Sequence, residues 1–374
     1  MDIHRVEAGE SVTGVAQRYG ISPIKLAAAN GIHVGERLLP GEELLILVPT
    51  RTATAKRGER LSDIARRFRV SESSVIWQNP EAAGGKLYDG QPITVRGEPA
   101  LFGLGIGNGY FYRGATEGQL VGALPYLNYV TVCSALAKGG GVSNIFNGER
   151  IAELARAAGK LPLLRVFVPS GEKLSRESVG AAIMMARGGN YHGITLPLRA
   201  IGERAGEVRE EANRAGLKLA LECDAEAVCT ACDDADMTVL IYDKIEREPI
   251  PSFEDGEGCF MQRYADRHNA TRAFIDISPF AYTDGKYLTK GEAREAVIRA
   301  GGEASYPTPG VILCEAGKGG HKRRYIWESL SGVRRRLIGV SENGYFGISF
   351  DIARAPIAEL MMFRSMFSEG IGMT

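Results

Sequence analysis

The 374-residue chain has no excess of either charge, with 45 lysines and arginines against 45 aspartates and glutamates. Phosphate-binding surfaces usually leave a basic excess, so nucleic acid is not expected as the main partner. Its two basic runs, Lys322-Arg323-Arg324 and Arg334-Arg335-Arg336, read as solvated faces around a helix. Long apolar runs are missing too. None approaches the ~20 residues that a membrane helix needs, so the chain is not expected to span a membrane. Met1-Asp2-Ile3-His4 lacks the basic-then-apolar layout of a signal peptide, which predicts synthesis in the cytoplasm without the general export route. Cysteine is sparse: Cys133, Cys223, Cys229, Cys232, Cys259 and Cys314 are scattered along the chain. Cys229 and Cys232 have a spacing at which two thiolates can share zinc, but a second such pair and a nearby histidine are lacking. The expectation is six thiols, no metal and no cofactor. What is present, 44% hydrophobic and 24% charged residues, is ordinary globular composition.

The first hundred residues repeat. Gly9-Glu10 recurs as Gly58-Glu59, Arg18-Tyr19 as Arg67-Phe68, Ser22 as Ser71 and Asn30 as Asn79, always 49 positions later. Each copy reads as a short strand (3–6; 52–55), a Gly-Glu turn, an amphipathic helix, a second short helix and a closing strand (43–48; 92–95). Val12, Val15, Ala16 and Tyr19 share one helical stripe, matched by Leu61, Ile64, Ala65 and Phe68. Ser22 and Ser71 are N-cap candidates for the second helices.

This βααβ unit resembles the LysM module, a family that binds glycans carrying N-acetylglucosamine, chiefly peptidoglycan and chitin. The likeness rests on Gly9, Glu10, Ser11, Val12, Asn30, Gly31 and Ile32 in the first copy. In the second it rests on Gly58, Glu59, Arg60, Leu61, Gln78, Asn79 and Pro80, with Arg60 where the family has Ser or Thr. The resemblance implies that these two loops form a shallow groove whose backbone amides and carbonyls hold acetamido groups. The same glycines and asparagines also serve as turn formers.

Beyond residue 100, apolar runs alternate with helical segments, the pattern of βα units. Candidate strands are 101–106, 129–135, 163–168, 193–198, 218–222, 237–242, 273–277 and 346–350. Eight of them suit a (β/α)8 TIM barrel. The predicted α/β architecture is therefore two βααβ modules, 1–49 and 50–97, then a barrel over 98–374 with an inserted α+β subdomain at about 286–309.

In the fourth of these strands Gly193, Thr195, Pro197 and Arg199 share one face, while His192, Ile194, Leu196 and Leu198 share the other. The frame resembles the fourth strand of family 18 glycoside hydrolases, with its Asp-Gly-x-Asp-x-Asp-x-Glu motif. On that motif His192, Thr195 and Pro197 take the three Asp positions and Arg199 takes the catalytic Glu. Only the glycine survives. Met237-Thr238-Val239-Leu240-Ile241-Tyr242-Asp243 resembles the sixth-strand motif, Tyr325-Ile326-Trp327-Glu328-Ser329 the segment before the last strand, and Gly344-Tyr345-Phe346-Gly347-Ile348-Ser349-Phe350-Asp351 the closing one. In this last motif Asp351 replaces the tryptophan that floors the sugar site.

In that family the lost Glu protonates the leaving oxygen and the Asp before it orients the acetamido nucleophile. Arginine cannot deliver a proton near neutral pH. The resemblance, with LysM pairs joined to such barrels in spore-forming bacteria, implies a spore-associated, peptidoglycan- or chitin-binding protein with a catalytically inactive barrel and no catalytic residues. Spore coat or cortex proteins are further candidate partners. Glu222, Asp224, Tyr242, Asp243 and Asp351 are candidates for the barrel mouth, with Glu222, Asp224 and Asp243 as counter-charges to Arg199. Alternatives are an active cortex-lytic N-acetylglucosaminidase or chitinase-like glycosidase using a displaced carboxylate, and a thiol site at Cys223 for which no Cys-His pair is visible.

Overall fold

A computed structural model describes residues 1–82, 87–97, 99–224, 230–241, 260–317 and 322–368. In the first small unit, strand Asp2–Arg5 pairs antiparallel with Glu43–Ile46 around helices Val12–Arg18 and Pro23–Asn30. The second repeats this with strands Arg51–Thr54 and Pro92–Arg96 around helices Leu61–Phe68 and Glu72–Trp77. Each has its own core: Val12, Val15, Leu26 and Ile46 in one, Leu61, Ile64, Val75 and Ile93 in the other. Ser11 and Ser71 cap helices by accepting from the amides of Gly14 (3.2 Å) and Ser74 (2.9 Å). Ser22 holds an N-cap position without a side-chain bond, its helix opening on Pro23 instead.

Eight parallel strands close a barrel: Ile106–Phe111, Tyr129–Lys138, Leu161–Phe167, Gly193–Pro197, Lys218–Asp224, Met237–Ile241, Ala273–Ile277 and Gly347–Asp351. The last pairs with the first, Asp351 opposite Tyr110. Alternation sends Tyr110, Cys133, Leu163, Ala220, Val239 and Phe274 inward, and Ile194, Leu196, Leu221 and Ile348 outward under the helices.

Two expectations are corrected. The first barrel strand is Ile106–Phe111, not 101–106, and Phe102–Leu104 pairs instead with Phe367–Ser368. Its sequence, Ile-Gly-Asn-Gly-Tyr-Phe, is too glycine-rich to read as a strand. The glycines are a packing requirement: a Cβ at Gly107 would lie 2.1 Å from the Tyr126 carbonyl oxygen, and one at Gly109 2.7 Å from Leu127. The insertion after the seventh strand is also larger than 286–309. It is a five-stranded antiparallel sheet ordered Lys286–Thr289, Phe280–Thr283, Arg323–Glu328, Val311–Ala316, Ala304–Ser305, carrying the helix Lys290–Arg299. Thr289 and Glu292 form a capping box that starts this helix.

The first small unit docks on this insertion. Pro40 and Gly41 carbonyls accept from the Ala304 amide (2.9 Å) and the Tyr306 hydroxyl (2.7 Å), and Leu39 is buried in the insertion's core. Arg294 grips Glu42 through two bonds (2.5 and 2.8 Å) and also pairs with Glu36. Glu43 accepts from the Ser331 amide (2.7 Å) and hydroxyl (2.8 Å) at the start of helix Leu330–Glu342. Lys25 ties the two repeats together through Asn79 (2.6 Å), Thr94 (2.8 Å) and Glu81 (2.9 Å). No described helix is long and apolar enough to cross a membrane.

Candidate functional site

The repeat residues separate into frame and surface. Asn30 is a staple: its amide donates to the carbonyls of Leu26 (2.8 Å) and Leu45 (3.0 Å) and its oxygen accepts from the Leu45 amide (2.7 Å). Asn79 repeats this on Val75 (2.7 Å) and Thr94 (2.8 and 2.7 Å), fully buried. Glu10 braces its turn through the Glu7 amide (2.8 Å), His4 (2.7 Å) and Arg18 (2.6 Å). Burial works against the Glu10 carboxylate, but the Glu7 amide, His4 and Arg18 together hold its pKa below the ordinary 4.5. Glu59 braces the second turn through the Lys56 amide (2.9 Å) and Arg67 (3.3 Å). Val12 and Leu61 are buried, Gln78 bonds back to Ser74 (2.9 Å), and Pro80 opens a short helical turn.

The exposed remainder is Gly9, Ser11 and Gly31 in the first unit, and Gly58 and Arg60 in the second, while Ile32 is half-buried. Gly9 (φ 86°), Gly58 (φ 80°) and Gly31 (φ 65°) adopt the left-handed conformation that turns the chain there. A bridge between Ser11 and Arg37 joins the first unit's two loops, so the surface between them is a single platform. Arg60 opens its helix with its amide donating to Asp63 (3.0 Å).

In the barrel, the fourth strand ends at Pro197 and Leu198–Ile201 forms a helical turn. Arg199 therefore leaves the inward alternation expected of it. Its guanidinium donates to the carbonyls of Val168 (2.6 Å) and Pro169 (3.2 Å) in the preceding loop. The expected pairing of Glu222 with Arg199 is overturned. Arg165 in the third strand takes both Glu222 oxygens, at 2.6 and 2.9 Å, across the barrel interior. Burial opposes the Arg165 charge, and Glu222 more than offsets this, lifting the guanidinium pKa above its ordinary value. Strand register fixes the pair, setting Thr195 opposite Arg165 and Pro197 opposite Glu222.

Around it lie Tyr110 and Tyr112, whose phenols burial pushes well up, and Asp276, which accepts from Ser349 (2.9 Å). Among the described residues, the Arg165 Nη1, Thr195 Oγ1 and Tyr110 Oη are buried without a hydrogen-bond partner. Sequence reasoning missed Arg165, Tyr110 and Asp276. A lone arginine inside the apolar run Leu-Pro-Leu-Leu-Arg-Val-Phe was the signal for the first.

Asp351 accepts from the Ala353 amide (2.8 Å) and pairs with Arg354 (2.7 Å), bracing the loop after the eighth strand. His192 lies at the other end of the barrel, before the fourth strand, its ring 6.2 Å from that of Tyr129; burial and then Lys218 lower its pKa. Tyr242, Asp243 and Cys229 fall outside the described residues. Cys223 and Cys232 are buried with their sulfurs 3.1 Å apart. Among the described residues no group of three His, Cys, Asp or Glu could hold a metal ion.

Residues 4–47 and 53–96 each match the LysM domain family. No curated protein sequence matches the chain. Among solved structures it is similar to the Bacillus cereus spore cortex-lytic enzyme SleL, with TM-score 0.70 and 15% identity over 99% of both chains. The SleL of Bacillus megaterium gives 0.71 and 13% over 98% of both. A chitinase from Chromobacterium violaceum aligns with 70% of this chain and 98% of its own, at TM-score 0.56 and 16% identity. The chain thus has two LysM domains followed by a (β/α)8 barrel of the kind these enzymes share.

Proposed function

We propose that this protein binds peptidoglycan- or chitin-type glycan through its LysM domains and that its barrel is not a glycosidase. The observation that carries the binding reading is the paired LysM match, with Gly9, Ser11 and Gly31 of the first domain exposed on joined loops. The buried asparagine and glutamate staples hold those loops, so a ligand would meet mainly backbone and exposed side chains. The module order along the whole chain, alike in both SleL structures, supports a spore-associated role, with cortex or coat components as partners.

The inactivity reading rests on three positions. Pro197 has no polar side-chain atom where an acetamido-orienting carboxylate would sit. Arg199 is spent on two carbonyls. Glu222 gives both oxygens to Arg165, so protonating it to serve as an acid would break that ion pair.

One experiment on the intact chain tests both halves. It should be retained on purified peptidoglycan or chitin but not on cellulose, and should release no product from chito-oligomers or cortex muropeptides. Equal retention on cellulose, or none on either glycan, removes the binding reading. Turnover within tenfold of an authentic cortex glucosaminidase would restore the displaced-carboxylate alternative.

A further inference from the structure

Among the described cysteines, two meet. Cys223 is the penultimate residue of the fifth barrel strand, Lys218–Asp224, and Cys232 lies in the helical turn Thr230–Asp234 ahead of the sixth. Both side chains sit in the core between strands and helices, where each residue is 2% exposed and the sulfurs stand 3.1 Å apart. Cys133 faces the barrel interior instead, and Cys314 the core of the insertion.

Each member of the pair is held from its own side. Strand pairing sets Cys223 opposite Leu240. The Cys232 carbonyl accepts from the Thr238 hydroxyl (3.2 Å), and the neighbouring Asp233 pairs with His268 (2.9 Å) and accepts from the Asn269 amide (3.2 Å). The spacing of Cys229 and Cys232 suggested zinc, whereas the fold brings Cys232 to Cys223, nine positions away. Two thiols in an apolar core ordinarily act as small hydrophobes. That role explains their burial, but not sulfur facing sulfur at a separation only about 1 Å longer than a disulfide bond.

We propose that Cys223 and Cys232 are a redox modification site that closes to a reversible disulfide, with a low-molecular-weight disulfide as the oxidant. The thiolate of one cysteine attacks the oxidant's S–S bond, which releases one small thiol and leaves a mixed disulfide. The second cysteine then attacks its partner's sulfur and releases the other small thiol. Both protons lost by the cysteines end on the two released thiols, and the two electrons reduce the oxidant's bond. Burial slows the first attack, which needs the turn to open. The second is favoured because the partner sulfur is already in place. The bond pins the turn to the strand whose outer face it covers, one residue from the Glu222 that pairs with Arg165 inside the barrel.

The test uses the full chain, first reduced, then equilibrated with mixtures of oxidised and reduced glutathione at about pH 8, where part of an accessible thiol is ionised. The protein is then unfolded in an alkylating agent and mapped by mass spectrometry. Oxidation should join Cys223 to Cys232 and leave four of the six cysteines alkylated. The oxidised chain should melt about 5 °C above the reduced one, and dithiothreitol should reverse the shift. Cys223→Ala and Cys232→Ala should each abolish the crosslink and the redox-dependent shift, while Cys229→Ser should keep both. The map of the unsubstituted chain decides even where an alanine variant fails to fold. Six alkylated cysteines at every glutathione ratio overturn the site. So does a bond made through Cys229 instead, or bound zinc that shields Cys223 and Cys232 until a chelator removes it.

Discussion

Replacing Arg165 by methionine should be among the most damaging single changes in the barrel. Its side chain is 14% exposed and that of Glu222 4%, and they meet through two bonds of 2.6 and 2.9 Å. Removing the guanidinium leaves a carboxylate in the barrel interior, and the buried phenols of Tyr110 and Tyr112 cannot supply a counter-charge. Breaking a buried pair in this way costs roughly 3–5 kcal/mol. Removing both charges leaves no stranded ion, so Arg165→Met with Glu222→Leu should be within about 1 kcal/mol of wild type, or more stable. The coupling in a double-mutant cycle is then about 3 kcal/mol or more. Differential scanning calorimetry can follow the barrel transition, where the single variant should melt on the order of 10 °C lower. A single-variant cost below about 1 kcal/mol, or a double variant as unstable as the single, would refute the stranded-charge argument.

Other outcomes follow from the same geometry. Asn79→Ala removes four hydrogen bonds, one of them from Lys25, and orphans buried backbone groups at Val75 and Thr94; a loss of about 2–4 kcal/mol is expected, seen as lost amide-exchange protection in the second LysM domain. Glu10 has a depressed folded pKa, so its stabilisation is present above the unfolded value and is lost as pH falls through the folded one. The first LysM domain should therefore weaken below about pH 4.5, and Glu10→Gln should flatten that dependence in acid melts. Arg199→Glu should not create turnover of chito-oligomers, because residue 199 lies on a helical turn beyond Pro197; product above background would contradict this. Gly107→Ala should prevent folding, judged by circular dichroism, since its Cβ would meet the Tyr126 carbonyl oxygen at 2.1 Å.

The LysM domains were legible in sequence because their structure is local: a constant offset of 49 repeats every cap, brace and staple, from Glu10 and Glu59 to Asn30 and Asn79. Most barrel strands were legible too, because a strand covered on its outer face announces itself by an apolar alternation. The first was not. Its glycines mean close approach to Tyr126 and Leu127, a fact about neighbours that the segment itself does not carry. The same holds for the barrel mouth. Alternation alone placed Arg199 inward, but the strand stops two residues earlier, and the charge that enters the barrel comes from Arg165, 57 positions from its partner Glu222. Which residues carried charge was fixed by the sequence. Which charges met depended on strand register, set by pairings tens of positions apart, and on LysM docking, set by contacts more than 250 positions apart.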